Sequence, residues 1–319
     1  MATPEPLKLR KVLSESYKII KAQPQNFSAL TFLFLTPPTI AALLYPTLQS
    51  LFKETNDQPA NTPYKTLINL LALALYVFNI VFSICAIGSI SYTAFRGFSG
   101  EVIELKSAIK SLSSSFFPLL GTTLLVQIIV FIIAFILSIL AISGYLLVSG
   151  GFRIELFSSP HFVGFVIALM VVMVLLVFYL QVNWTLAHVV VVVESAWAFK
   201  ALKRSKALIK GNRGLALSLC LIFAIPYVYM MWIYMSPYLG PDLSGSTAYT
   251  SDEWTHLWLD LALQVLCYSY LLTIIQRFSL IATTVLYAYC KAIHDQKKSS
   301  GDQYVSLLVD HDDKDVAVV

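Results

Sequence analysis

Residues Gln181–Gly214 read QVNWTLAHVVVVVESAWAFKALKRSKALIKGNRG. Five consecutive valines, Val189–Val193, run straight into a segment crowded with lysine and arginine. A helix of a soluble domain has no use for that order. A chain that crosses lipid and then meets headgroups does, because uncharged apolar runs suit hydrocarbon and cations suit anionic phosphate. The rest of the chain repeats the theme. Of 319 residues, 57% are hydrophobic and 13% are charged, against roughly 25% charged in soluble domains. Mean hydropathy is +0.73. The apolar residues lie in long runs without strand-like alternation, so a barrel is excluded and an all-α polytopic membrane helix bundle is predicted.

Six spans can be read: Phe27–Leu48, Thr66–Phe95, Phe116–Leu147, Phe162–Glu194, Leu215–Met235 and Trp254–Ile293. Several exceed the ~20 residues that a 30 Å slab requires, so tilt or extension beyond the slab is expected. Pro37–Pro38 and Pro226 are expected to kink the first and fifth. Residues 1–293 then form one membrane domain, and 294–319 a disordered cytosolic tail.

Orientation follows from the loop cations. The N-terminal segment carries Lys8, Arg10, Lys11, Lys18 and Lys21; the second loop carries Arg96, Lys106 and Lys110. The fourth has Lys200, Lys203, Arg204, Lys206, Lys210 and Arg213, and the tail Lys291, Lys297, Lys298 and Lys314. Only Lys53, Lys65 and Arg153 fall on the other side. Both termini are therefore expected in the cytosol, with the protein in the endoplasmic reticulum or plasma membrane. Cys85, Cys220, Cys267 and Cys290 all lie in apolar runs without CxxC spacing, so neither a disulfide framework nor a zinc site is indicated.

Wound as a helix, Trp197, Ala198, Ala201, Leu202, Ser205, Leu208 and Ile209 share one arc of about 140°. Lys200, Lys203, Arg204, Lys206 and Lys210 take the other, which suggests a helix lying in the cytosolic interface with its apolar face among acyl chains. The N-terminus does likewise, with Leu9, Val12, Leu13, Tyr17, Ile19 and Ile20 opposite its lysines. EVIELKSAIKSL, from Glu101, is a weaker copy. The chain thus reads as three transmembrane hairpins, each preceded by a basic amphipathic helix, in possible repeats 1–95, 96–194 and 195–293.

Three stretches carry a resemblance: Trp184–Leu217, SISYTAF at Ser89–Phe95 and TTVLYAYCKAIH at Thr283–His294. Together they resemble a plant family of six-span membrane proteins with no established activity. More distantly they are similar to the membrane domain attached to some bacterial glycerophosphodiester phosphodiesterases. The resemblance implies a fold and a membrane setting and transfers no catalytic residue, since the hydrolase of those bacterial proteins is a separate soluble domain.

Polar residues within spans are the default place to seek function. The fourth span offers Gln181, Asn183, His188 and Glu194; the sixth offers Asp260, Gln264, Gln276 and Arg277. Asn183 and Glu194 share one helix face, Gln181 and His188 another. Arg277 lies about 21 Å before Lys291 along the helix, which leaves open whether it meets Gln181 and Asn183, lipid phosphate, or Glu194. No phosphate loop, HExxH, GxSxG or metal-spaced histidine set occurs, so no enzyme, cofactor or metal is expected.

The favoured expectation is a non-enzymatic scaffold or adaptor. Its binding residues would be Lys200, Lys203, Arg204, Lys206 and Lys210. Its partners would be the lipid bilayer, anionic lipids in particular, and a membrane or cytosolic protein, with no nucleic acid. The alternative is transport of a small solute or lipid through the bundle, using Gln181, Asn183, His188 and Arg277.

Overall fold

Every apolar run forms a helix. A computed structural model describes residues 9–54, 62–152, 160–239 and 251–315, and every regular element among them is helical. In chain order these are α1 (Leu9–Ala22), α2 (Pro24–Leu30), a π-helical stretch Thr31–Leu35, α3 (Thr36–Glu54), α4 (Thr62–Phe98) and α5 (Leu105–Phe152). Then follow α6 (Pro160–Trp184), α7 (Ala187–Glu194), α8 (Phe199–Ile209), α9 (Arg213–Leu239) and α10 (Ser251–Asp315). Among the described residues, six helical stretches are long and apolar enough to cross a membrane: Pro24–Pro46, Thr66–Phe98, Leu105–Gly144, Ile167–Glu194, Arg213–Ser236 and Leu261–Gln296. Large side chains such as Phe131, Phe135, Met170, Val174, Tyr229 and Leu263 lie exposed along them. That much apolar surface suits acyl chains and not water. This is an all-α polytopic bundle.

The first span is not one regular helix. Pro37 and Pro38 have no N–H to give, so the turn before them loosens, and Thr36 N–H bonds Thr31 O five residues back. In contrast, α9 runs uninterrupted through Pro226. The fourth span, predicted continuous, breaks at Thr185–Leu186. There Asn183 Nδ2 donates to Tyr179 O at 2.7 Å and Thr185 Oγ1 to Gln181 O at 2.8 Å. Such short polar side chains compete with the backbone ladder.

Two of the three basic segments are separate helices. In α1, Val12, Ser16 and Ile19 are buried; in α8, Ala201, Leu202, Ser205, Leu208 and Ile209 are. These faces pack on the protein core together with Phe27, Leu186 and Tyr287, not among acyl chains as the sequence suggested. Each fully buried Val or Ile contributes about 1.5–3 kcal/mol to that docking. Tyr17, by contrast, is exposed, as is Trp197, which precedes α8 instead of joining its apolar arc. The third segment is not separate at all. Lys106 and Lys110 lie in the opening turns of α5, one 48-residue helix of about 70 Å. The sequence there has no breaker before Pro118. In the same way α10 runs on past the sixth span to Asp315, over a stretch with one glycine and no proline.

Loops at this basic end are fixed by hydrogen bonds. Gln23 Nε2 donates to Glu101 O at 2.9 Å and Asn26 Nδ2 to Ile103 O at 2.7 Å, which ties the α1–α2 junction to the loop after α4. Gly100 (φ 82°) and Gly211 (φ 107°) close α4 and α8 in a conformation that side chains disfavour. A second, smaller core of Leu43, Tyr234, Val265 and Leu272 holds the opposite end of the bundle.

Candidate functional site

Four helices converge on a cavity of about 520 Å³ within the spans. Each presents a stripe at helical spacing. The α6–α7 span gives Gln181, Thr185 and His188; α10 gives Gln276, Ser279 and Thr283; α4 gives Ser83, Ile87 and Ser91; α9 gives Cys220, Ala224 and Tyr227. Trp184, Phe178, Leu219 and Phe223 supply apolar wall. The break at Thr185–Leu186 lies in this wall, the kind of place where irregular backbone within a span is tolerated.

Some of these polar groups satisfy one another. Thr185 Oγ1 and Cys220 Sγ stand 3.2 Å apart, and Gln276 Nε2 donates to Tyr227 Oη at 3.3 Å. Others do not. Ser91 is fully buried and its Oγ has no partner. Among the described residues the His188 imidazole and the Gln181 amide make no side-chain hydrogen bond. Beyond Gln276 and Tyr227 lies a second chamber of about 90 Å³, which shares Leu35, Ser83, Tyr227 and Gln276 with the first and adds Asn79 and Thr39. Among the described residues, no Asp, Glu, Lys or Arg lines either space.

Six residues past His188, about 9 Å along the helix, Glu194 closes the basic end of the bundle. Its carboxylate accepts Arg204 Nε at 3.2 Å and Nη2 at 3.5 Å, and Tyr287 Oη at 2.8 Å. Lys291 Nζ is 3.7 Å away. One anion thus ties α7 to α8 and α10. The backbone between α7 and α8 is tightly turned: Ser195 has φ 52° and Ala198 φ 54°, ψ −133°. Ala198 N–H donates to Thr122 Oγ1 at 3.0 Å, and Trp197 lies over Gly121 of α5. A family model described as a domain of unknown function, DUF8558, matches residues 5–311.

The chain belongs to this family. No curated protein and no solved structure matches it. The family has no assigned activity, so the roles of its residues in this chain rest on geometry.

Geometry sorts the polar residues of the spans into three groups. Gln181 and His188, seven residues apart, line the cavity together. Asn183 is not in the cavity wall: its side-chain Nδ2 donates back to Tyr179 O, and its backbone carbonyl accepts Ser205 Oγ at 2.9 Å, which docks α8. Glu194 is an ion-pair hub. Arg277 joins none of these; it lines neither chamber, and among the described residues its buried Nε has no hydrogen-bond partner. Among the basic residues of α8, Arg204 is taken up by Glu194, whereas Lys200, Lys203, Lys206 and Lys210 are exposed. Arg204 is thus a fastening within the fold, not part of a free binding face.

Sequence reasoning missed Tyr287 and Lys291 as partners of Glu194, and it missed most of the cavity wall. A signal existed on α10, where Gln276, Ser279 and Thr283 repeat at one helix face. Nothing in the sequence paired that stripe with Ser83 and Ser91 of α4.

Proposed function

We propose that this family member is a non-enzymatic membrane scaffold that holds anionic lipid, or an acidic partner protein, against the basic end of its bundle. The observation that carries the reading is the two-sided build of α8. One face is buried in the protein, and the other offers Lys200, Lys203, Lys206 and Lys210. A helix fastened to the core presents its cations without ordering cost at binding. With both termini and these lysines in the cytosol, the protein would face the anionic leaflet of the endoplasmic reticulum or plasma membrane.

The test uses full-length protein in phosphatidylcholine nanodiscs and a short-chain fluorescent phosphatidylinositol bisphosphate. Lys200, Lys203, Lys206 and Lys210 changed together to Gln should weaken binding at least a hundredfold at low salt, and the unaltered protein should lose affinity as salt rises. Equal binding by both proteins contradicts the reading.

A second reading has its own observation, the cavity between α4, α6–α7, α9 and α10. Two chambers that adjoin at Leu35, Ser83, Tyr227 and Gln276 favour passage of a small solute or lipid between the helices. Flux in proteoliposomes that disappears in Gln276→Leu, with the protein still folded, supports transport. Its persistence in that variant counts against it.

A further inference from the structure

We propose that the larger cavity is a binding site for a neutral lipid that carries one hydroxyl on an apolar body. The inference rests on the cavity of the second reading, but it requires binding only and not transport.

Charge narrows the ligand first. Neither chamber offers an Asp, Glu, Lys or Arg, and an ionic group placed there would lose its water with no counter-charge in return. A phosphate or carboxylate headgroup is thereby disfavoured, and so is an inorganic ion. Apolar wall comes next. Phe178, Trp184, Leu219, Phe223 and Leu280 line much of the space, and a small polar solute would leave that surface unmatched. Its size lies in the range of ordinary small-ligand sites, about 300–1,000 Å³.

Hydrogen bonding completes the description. A hydroxyl both donates and accepts, and the cavity offers groups of both kinds without partners. A neutral imidazole at His188 has one N–H and one acceptor nitrogen, the Gln181 amide has both functions, and both side chains line the cavity. Gln276 donates to Tyr227 through Nε2 and lines both chambers. A polar group left without a bond away from water is costly, by about 1–3 kcal/mol, and a ligand hydroxyl bonded to His188 or Gln181 removes that cost. The site lies in the spans, so its ligand arrives from the bilayer itself, and both fatty alcohols and sterols have the required chemistry.

Trp184 in the wall is a built-in reporter. The full chain in detergent is titrated with a brominated long-chain fatty alcohol, with the brominated fatty acid of equal length at alkaline pH, and with a fluorescent sterol. The alcohol should quench, or the sterol should accept energy from, tryptophan in a saturable way, and Trp184→Phe should remove that component. A response to the alcohol alone or to the sterol alone supports the site and tells which source fills it. The ionised acid should bind at least tenfold more weakly than the alcohol. His188→Leu and Gln276→Leu should each weaken binding about three- to tenfold. Should either variant fail to fold, competition by unbrominated alcohol on the unaltered protein must abolish the Trp184 signal. The proposal is overturned by an absent or non-saturable response, by a response equal in Trp184→Phe, by an acid that binds as tightly as the alcohol, or by folded Leu variants that bind unchanged. Binding without flux keeps this site and removes the transport reading.

Discussion

Glu194 and Tyr287 are 93 residues apart in the sequence, yet the tyrosine hydroxyl donates to the carboxylate at 2.8 Å. Through that contact the fourth and sixth spans meet beside Arg204 and Lys291. Losing the anion leaves two cations facing each other without compensation. Glu194→Gln should therefore lower stability by about 2 kcal/mol and Tyr287→Phe by about 1 kcal/mol, with the double variant less costly than their sum. Unfolding in detergent measures this, and an unchanged Glu194→Gln protein would contradict the hub. The exposed pair Lys18–Glu15, at 2.9 Å, is the contrast: Lys18→Met should leave the unfolding midpoint unchanged.

Ala198 holds φ 54° and ψ −133° because its N–H is bound to Thr122 of α5. A side chain resists that conformation and glycine does not. Ala198→Gly should be neutral or stabilise by up to about 1 kcal/mol, the reverse of the usual cost in a loop. Ala198→Val should destabilise by about 1–3 kcal/mol. A loss of stability in Ala198→Gly would show that the turn is not strained.

Gly88 lets α4 approach α5 closely. A Cβ there would stand 2.8 Å from Leu112 Cδ1 and 3.3 Å from Leu119 Cδ1. Leu112 ends in a rotatable group and can yield to a methyl, so Gly88→Ala should be mild. Gly88→Val should cost about 1–3 kcal/mol by overpacking. Equal thermal midpoints for the two variants would contradict the close approach.

Tyr234 is buried at the other end of the bundle, where its hydroxyl donates to Leu43 O at 2.7 Å. Tyr234→Phe should cost about 1 kcal/mol without affecting ligand response at Trp184. A change in that response would couple the two ends of the bundle.

The spans were legible because hydrocarbon imposes one simple demand, an uninterrupted apolar length. The shared face of Gln181 and His188 was legible because helical period fixes it. What covers an apolar face was not. The stripe Val12, Ile19 on α1 and its counterpart Ala201, Leu208 on α8 suit acyl chains and a protein core equally well in sequence, and they meet the core. Nor can charge alone tell a free lysine from a committed arginine. Arg204 differs from Lys203 only through Glu194, ten residues before it, and that pairing depends on the turn at Ser195–Ala198. The break at Thr185 was within reach, since Asn183 and Thr185 are residues that bond back to carbonyls, but its consequence for a cavity wall required α9 and α10 in place.

The most direct test of the membrane account is topology in sealed microsomes. Tags at both ends of the chain are exposed to protease without detergent, and a glycosylation acceptor is placed in residues 153–159. Six crossings with the basic end in the cytosol predict that both tags are digested and the acceptor is glycosylated. One tag protected while the other is cut, or an acceptor left bare, would contradict it.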